Sequence, residues 1–232
     1  MSEPVVAEPS YDDALPPAAP DPRFDNVAAL TRRVLKVPNA QVTIVTADEQ
    51  RIPGGAADNA PWEQTRSLPL SYSICQYVVA DHAPLVLPDT HADPRLADNR
   101  SVLELDVAAY AGMPLTAIDG STVGALCVTD DHPREWTPDE LDLMNDLAAL
   151  CSSELQLRQS AARAAVAADR DRIARDLHSQ VFSQLSQLSL LLAGLQARSQ
   201  GDAAEITLSA LDVVDDVLKT IRRTIFARGT TP

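Results

Sequence analysis

Between Pro138 and Gly194 the chain contains neither proline nor glycine. Proline breaks a helix by removing a backbone donor, and glycine weakens one through its conformational entropy. Nothing local therefore interrupts a helix across this stretch. Its start is equally well marked. In "WTPDELDLMNDLAAL", Thr137 reads as the N-cap, Pro138 takes the first helical position, and Glu140 stands where a capping-box partner reaches back. Leu141, Met144, Leu147 and Cys151 then recur on one side. The spacing predicts one long helix from about Pro138, through the polar linker "SSELQLRQSAARAAVAAD", into "RDRIARDLHSQVFSQL".

The segment before that helix has a different texture. Residues 1–22 carry Pro4, Pro9, Pro16, Pro17, Pro20 and Pro22 among Ala, Asp and Glu, the composition of a disordered acidic tail. Phe24, Val27, Leu30, Val34 and Leu35 follow helical spacing. "NAQVTIVTAD" alternates Val42 and Ile44 with threonine and reads as a strand, while "RIPGGAADNAPWEQ" reads as loop. "SYSICQYVVAD" fits either a short helix or a helix–strand junction. "APLVLPD" is a short apolar strand, and "THADPRLADN" a polar turn entering a short helix. Two apolar runs flank Asp119-Gly120, a pair suited to a type I′ turn, so Ala109–Ile118 and Thr122–Val128 are expected to pair antiparallel.

Beyond the linker an apolar seam strengthens: Ala174, Leu177, Val181, Leu185, Leu188, Leu192 and Leu195. It is heptad-like, with one phase shift beside His178. After "RSQG", Asp202 and Glu205 form a second capping box, and Leu208, Leu211, Val214, Leu218, Ile221 and Ile225 make another stripe. Two amphipathic helices joined by a short loop bury a single layer, so two copies are expected to pair into a dimeric four-helix bundle. The fold class is α+β: an antiparallel sheet flanked by helices, then a long helix and an αα-hairpin.

The formal net charge of −14 argues against a nucleic-acid or anionic-membrane partner. Apolar runs such as Leu190 to Leu195 are far below the ~18–20 residues of a membrane span, so no membrane insertion is expected. "MSEPVVAEPS" lacks the basic start of a signal peptide, and a cytoplasmic location is expected. Cys75, Cys127 and Cys151 are odd in number and lack CxxC spacing, which reads as buried thiols. A thiol sensor or reductase using Cys75 or Cys127 needs an exposed, electropositive setting that the sequence does not offer. His82, His91 and His132 fall in loops without metal-ligand spacing, and no metal is expected. Trp62 and Trp136 read as loop anchors.

Phe24 to Arg158 resembles the GAF domains of bacterial sensor proteins. The resemblance rests on "VTIVTAD", "SYSICQYVV", "PLVLPDTHADPRLADN", "YAGMPL" and "GSTVGALCVTDDHPREWTPDELDLMNDLAAL". It implies a pocket under loops and dimerisation through the first and last helices. Such domains bind cyclic nucleotides, haem, bilins or small metabolites, so the cofactor stays unknown.

"DRDRIARDLHSQVFSQLSQLSLLLAGL" resembles the phosphoacceptor helix of two-component sensor histidine kinases of the nitrate and dormancy-sensor subfamily. Arg170, Arg172, Ile173, Ala174, Arg175, Leu177, His178, Val181 and Leu185 fit its pattern, and "DVLKTIRRTIF" resembles the second helix of the same hairpin. The resemblance implies that His178 accepts a phosphoryl group, with Arg172 and Arg175 as candidate contacts to phosphate or to an acidic regulator face. It also exposes a departure. The family places a carboxylate directly after the histidine to take its proton, and here Ser179 stands in that place.

No Gly-rich phosphate loop occurs and nothing after Pro232 supplies an ATP-binding domain, so ATP would act only through a separate kinase domain. The domain reading is a tail (1–22), a GAF sensor domain (23–158), a helical linker (159–169) and a dimerisation/phosphoacceptor hairpin (170–228). The expected partners are a second copy, or a full kinase in a heterodimer, and a response regulator. Three functions stay open: a GAF-containing sensor histidine kinase or its truncated relative, a non-catalytic sensor and dimerisation module, and a GAF-based thiol enzyme.

Overall fold

A computed structural model describes residues 15–58 and 60–196, with 209, 210, 212–217 and 219 of the C-terminal region. The chain divides into two compact units, Met1–Arg163 and Ala164–Pro232.

In the first unit six antiparallel strands form one sheet in the order β3-β2-β1-β6-β5-β4. They are β1 (Asn39–Val45), β2 (Glu49–Ala56), β3 (Ser67–Pro69), β4 (Leu85–Leu87), β5 (Ala109–Thr116) and β6 (Thr122–Asp130). Helix α1 (Pro22–Leu35) and the start of α4 (Pro138–Gln196) pack on one face. The short helices α2 (Cys75–Asp81) and α3 (Arg100–Glu104) pack on the other. Side chains alternate across a strand, and the two cores divide accordingly. Ala111, Met113, Leu126 and Val128 face α1 and α4, while Tyr110, Ala125 and Cys127 face α2.

The capping box of α4 is present: Glu140 accepts a bond from the Thr137 amide at 2.9 Å, and the Glu140 amide donates to the Thr137 hydroxyl at 3.3 Å. Met144, Leu147, Cys151 and Leu155 are buried, and Leu141 packs at the edge of the same core. The helix runs unbroken from Pro138 to Gln196. Asp21 caps α1 by accepting from the Arg23 amide, with Pro22 at the first position.

Four expectations need correction or completion. First, "RIPGGAADNAPWEQ" is not all loop, because Arg51 to Ala56 belong to β2. Pro53 is tolerated because the β1–β2 register shifts between Val42 and Ile44, and β3 pairs only with residues 49–51 of β2. Gly54 and Gly55 are needed for packing rather than turning. A Cβ on Gly54 would lie 2.4 Å from the Cβ of Phe24, and one on Gly55 would lie 2.3 Å from the Trp62 ring.

Second, the buried face of α1 is Phe24, Ala28, Thr31 and Leu35, so Leu30 and Val34 point to solvent. Third, the Asp119-Gly120 turn is not type I′, which needs positive φ at both residues. Only Gly120 has it, at 84°, and its amide bonds to the Ala117 carbonyl. This matches a longer hairpin loop closed by a glycine in the left-handed region. Fourth, "SYSICQYVVAD" resolves into a 3-10 turn (Leu70–Tyr72) and then α2.

In the second unit the described part of α4 presents Val181, Leu188, Leu190 and Leu191 to solvent. Residues 209, 210, 212–217 and 219 are helical, and Val214 is buried. The "RSQG" turn, the second capping box and most of the second stripe lie outside the described residues. Among the described residues no helix is long and apolar enough to cross a membrane.

Candidate functional site

The α2 side of the sheet carries a cavity of about 280 Å³. Its floor is Tyr110 from β5, Cys127 from β6 and Cys75 from the first turn of α2. The Cys75 and Cys127 sulfurs lie 3.3 Å apart, and the Tyr110 hydroxyl donates to Cys75 Sγ at 3.2 Å. All three cysteines are free thiols and buried.

One wall is a run of polar side chains. Ser73 Oγ donates to Gln50 Oε1 at 2.5 Å, and Gln50 Nε2 donates to Gln41 Oε1 at 3.3 Å. Gln41 Nε2 then donates to Asn39 Oδ1 at 3.4 Å, and Asn39 Nδ2 to Thr129 Oγ1 at 3.0 Å. Gln41, Gln50 and Ser73 are buried, and burial is affordable because these groups are hydrogen-bonded. Trp62 and Tyr72 add aromatic surface, and Asp58, Asp106, Asp130 and Asp131 complete the lining. No Lys, Arg or His lies among the described lining residues.

Electrostatics set the three floor groups apart. Burial pushes the Tyr110 hydroxyl well above its ordinary value, and the neighbouring sulfurs push it further. Burial also acts to raise the Cys75 thiol, but hydrogen bonds from Cys127, Thr43 and Tyr110 outweigh it and lower its pKa. Cys127 is raised well above the usual thiol range by its hydrogen bond to Cys75 and by burial. Cys151 lies in the opposite core, where burial pushes it up to about 12.

The residues singled out by motif lie in the second unit. Arg172 is exposed and pairs with Asp169 at 2.5 Å. Arg175 is exposed, and its Nε donates to the Asp171 carbonyl at 3.2 Å. His178 is helical in its backbone, and its side chain lies outside the described residues. Ser179 is exposed and lines a shallow groove with Arg175, Phe182 and Leu190.

Of the loop histidines, His82 takes the left-handed cap of α2 and His91 pairs with Asp89. His132 lies with Asp130 and Asp131, one potential ligand atom from each falling within 4.8 Å of the others. These groups already have partners: Arg134 bonds Asp130 at 3.0 Å and His132 bonds Asp131 at 2.7 Å. Trp62 is a loop anchor against Gly55 and also a pocket wall. Tyr110, Gln41 and Gln50 are pocket residues that sequence reasoning missed. The available signal was a lone aromatic amid small residues on β5 and the amide of Gln41 among the apolar residues of β1; Gln50, on β2, carried none.

A family model for the GAF domain matches residues 19–155, more than half of the chain. The chain belongs to the GAF domain family. A cyclic di-GMP phosphodiesterase of Pseudomonas aeruginosa is 32% identical over 115 residues, which cover 49% of this chain and 19% of that protein. The chain thus spans about a fifth of that relative. Among solved structures, a free methionine-R-sulfoxide reductase of Neisseria meningitidis is 22% identical with a TM-score of 0.47, over 61% of this chain and 78% of that one. The second GAF domain of DevS from Mycobacterium smegmatis is 20% identical with a TM-score of 0.46, over 62% and 99%.

Proposed function

We propose that the chain is the sensing and dimerising part of a two-component signalling protein, with His178 as its phosphoryl-accepting residue. The GAF domain receives a small ligand in the Tyr110–Gln50 cavity. The ligand biases a helical hairpin that pairs with a second copy or with a complete kinase, and that partner's ATPase domain supplies the phosphoryl group. A response regulator then takes it up. The observation that carries this reading is the phosphoacceptor-like motif "RDRIARDLH" lying on the same unbroken helix that starts at the GAF domain's own Thr137 cap. Two further sets of residues support pairing: the solvent-facing Leu30 and Val34 of α1 with Leu150 and Leu157 of α4, and the Val181–Leu191 stripe.

The pocket lining limits the ligand. The described lining holds no Lys, Arg or His, while its Asp58 and Asp130 are already paired with Arg32 and Arg134, and this disfavours a phosphate, which is bound by Arg, Lys or backbone nests. The ligand is therefore uncharged or cationic rather than a cyclic nucleotide, whatever the phosphodiesterase relative acts on. In the test, the chain is incubated with a complete kinase of this type and labelled ATP. An acid-labile label that disappears in His178→Gln is expected. Absence of label, or label persisting in the variant, rejects the phosphoacceptor role.

A second reading is favoured by Ser179, which cannot act as the neighbouring base. In it the chain is a non-catalytic module that binds a partner kinase or regulator. Ser179→Glu separates the two, since it restores the missing carboxylate and raises labelling only if His178 is a phosphoryl site.

A further inference from the structure

We propose that Cys75 and Cys127 form an oxidisable dithiol, converted to a disulfide by a hydroperoxide that enters the cavity. The inference stands on the pocket geometry and does not depend on the signalling reading.

Three observations carry it. The two sulfurs are 3.3 Å apart with no third cysteine beside them, so an approach of roughly 1.2 Å reaches the bonded separation of about 2.05 Å. Both line the cavity although each residue is only 2% exposed, which gives a small oxidant a route that bulk thiol reagents lack. The hydroxyl of Tyr110 is aimed at Cys75 Sγ at 3.2 Å, a donor that stabilises a thiolate in a cavity whose described lining holds no cation. The partners also differ in mobility. Cys127 is fixed in the middle of β6, paired on both sides by β1 and β5. Cys75 opens the seven-residue α2, which follows a 3-10 turn and ends at His82 in the left-handed region. Movement is therefore assigned to Cys75.

The chemistry balances without another reductant. Cys75 thiolate attacks one peroxide oxygen: an S–O bond forms, the O–O bond breaks, and the departing alkoxide takes a proton from solvent. Cys127 sulfur then attacks the sulfenic sulfur of Cys75. The S–S bond forms, the S–O bond breaks, and the hydroxide leaves as water with the Cys127 proton. Two thiols lose two electrons and the hydroperoxide gains them, yielding a disulfide, an alcohol and water. The bond draws α2 onto β6 and lowers the cavity floor.

The test uses the full chain with one equivalent of hydrogen peroxide. It is then alkylated under denaturing conditions and digested without reduction for mass spectrometry. A Cys75–Cys127 cross-linked peptide is expected, reversible by dithiothreitol, with Cys151 fully alkylated as the internal reference. Cys127→Ser is expected to accumulate a dimedone-reactive sulfenic acid at Cys75, and Cys75→Ser to leave Cys127 reduced. Tyr110→Phe should slow oxidation several-fold and move its pH profile upward. Intact thiols at both positions, or loss at Cys151 equal to that at Cys75, overturns the proposal. The wild-type measurement decides even if a variant fails to fold.

Discussion

The two units of this chain solve the same problem in opposite ways. Up to Arg163, nearly every large apolar side chain on the sheet finds a partner within the chain, and Val42, Ile44, Leu115 and Leu126 are fully buried. From Ala164 the described helix leaves Leu190 and Leu191 at 75% and 67% exposure. Apolar patches of this kind mark interaction surfaces. The contrast teaches that the sheet of the first unit is covered from within the chain, whereas the described helix of the second leaves its apolar stripe open, the surface on which the proposed pairing rests.

The sharpest way to break that comparison is Gly54→Val. The added side chain meets the backbone and Cβ of Phe24 at 2.4–2.6 Å, and backbone cannot yield cheaply. Destabilisation of the GAF unit by about 3 kcal/mol is expected, read as loss of the near-ultraviolet tryptophan signal on heating. A variant as stable as the parent would show that α1 is not held by this contact.

The next test addresses the helical unit. On the proposed pairing, the chain self-associates in sedimentation velocity, and Val181→Asp combined with Leu188→Asp weakens that association at least tenfold, about 1.4 kcal/mol. The melting of the GAF unit should not change. If it falls as well, the first unit depends on pairing and the contrast fails.

The smallest effect is set by pH. A side-chain hydrogen bond from Arg158 holds both Asp21 and Glu154 below their usual values. A depressed carboxylate contributes stability that is present above its unfolded value and lost as pH falls through its folded value. The GAF unit should therefore lose stability below about pH 4, a modest effect because these side chains are partly exposed. Asp21→Asn should flatten that slope in chemical denaturation curves. An unchanged slope removes the Asp21–Arg158 pair from the account.

Legibility in sequence tracked how local the cause was. The α4 start was readable because Thr137, Pro138 and Glu140 encode it within four residues. The hairpin arms were readable from apolar runs, but the turn type was not, because Asp119 keeps negative φ in a longer loop. Strand β2 was hidden because Pro53, Gly54 and Gly55 look like a turn, and their purpose appears only when Phe24 and Trp62 arrive from elsewhere in the chain. The pocket was hidden for the same reason. Cys75 and Cys127 are far apart in sequence, and only the packing of α2 on β6 brings them together.

The chain of hydrogen bonds from Ser73 through Gln50, Gln41 and Asn39 to Thr129 has a further consequence. Each amide has one oxygen end and one nitrogen end, while the terminal hydroxyls can turn either way. The row therefore has a polarity, and reversing it requires all three amides to flip together. A single flip would set like ends against each other in a buried space, an arrangement that costs on the order of 1–3 kcal/mol. On the proposed function, a ligand that offers a donor where Gln50 now expects an acceptor meets an all-or-none element, and molecules of the same shape are told apart by the direction of their hydrogen bonds.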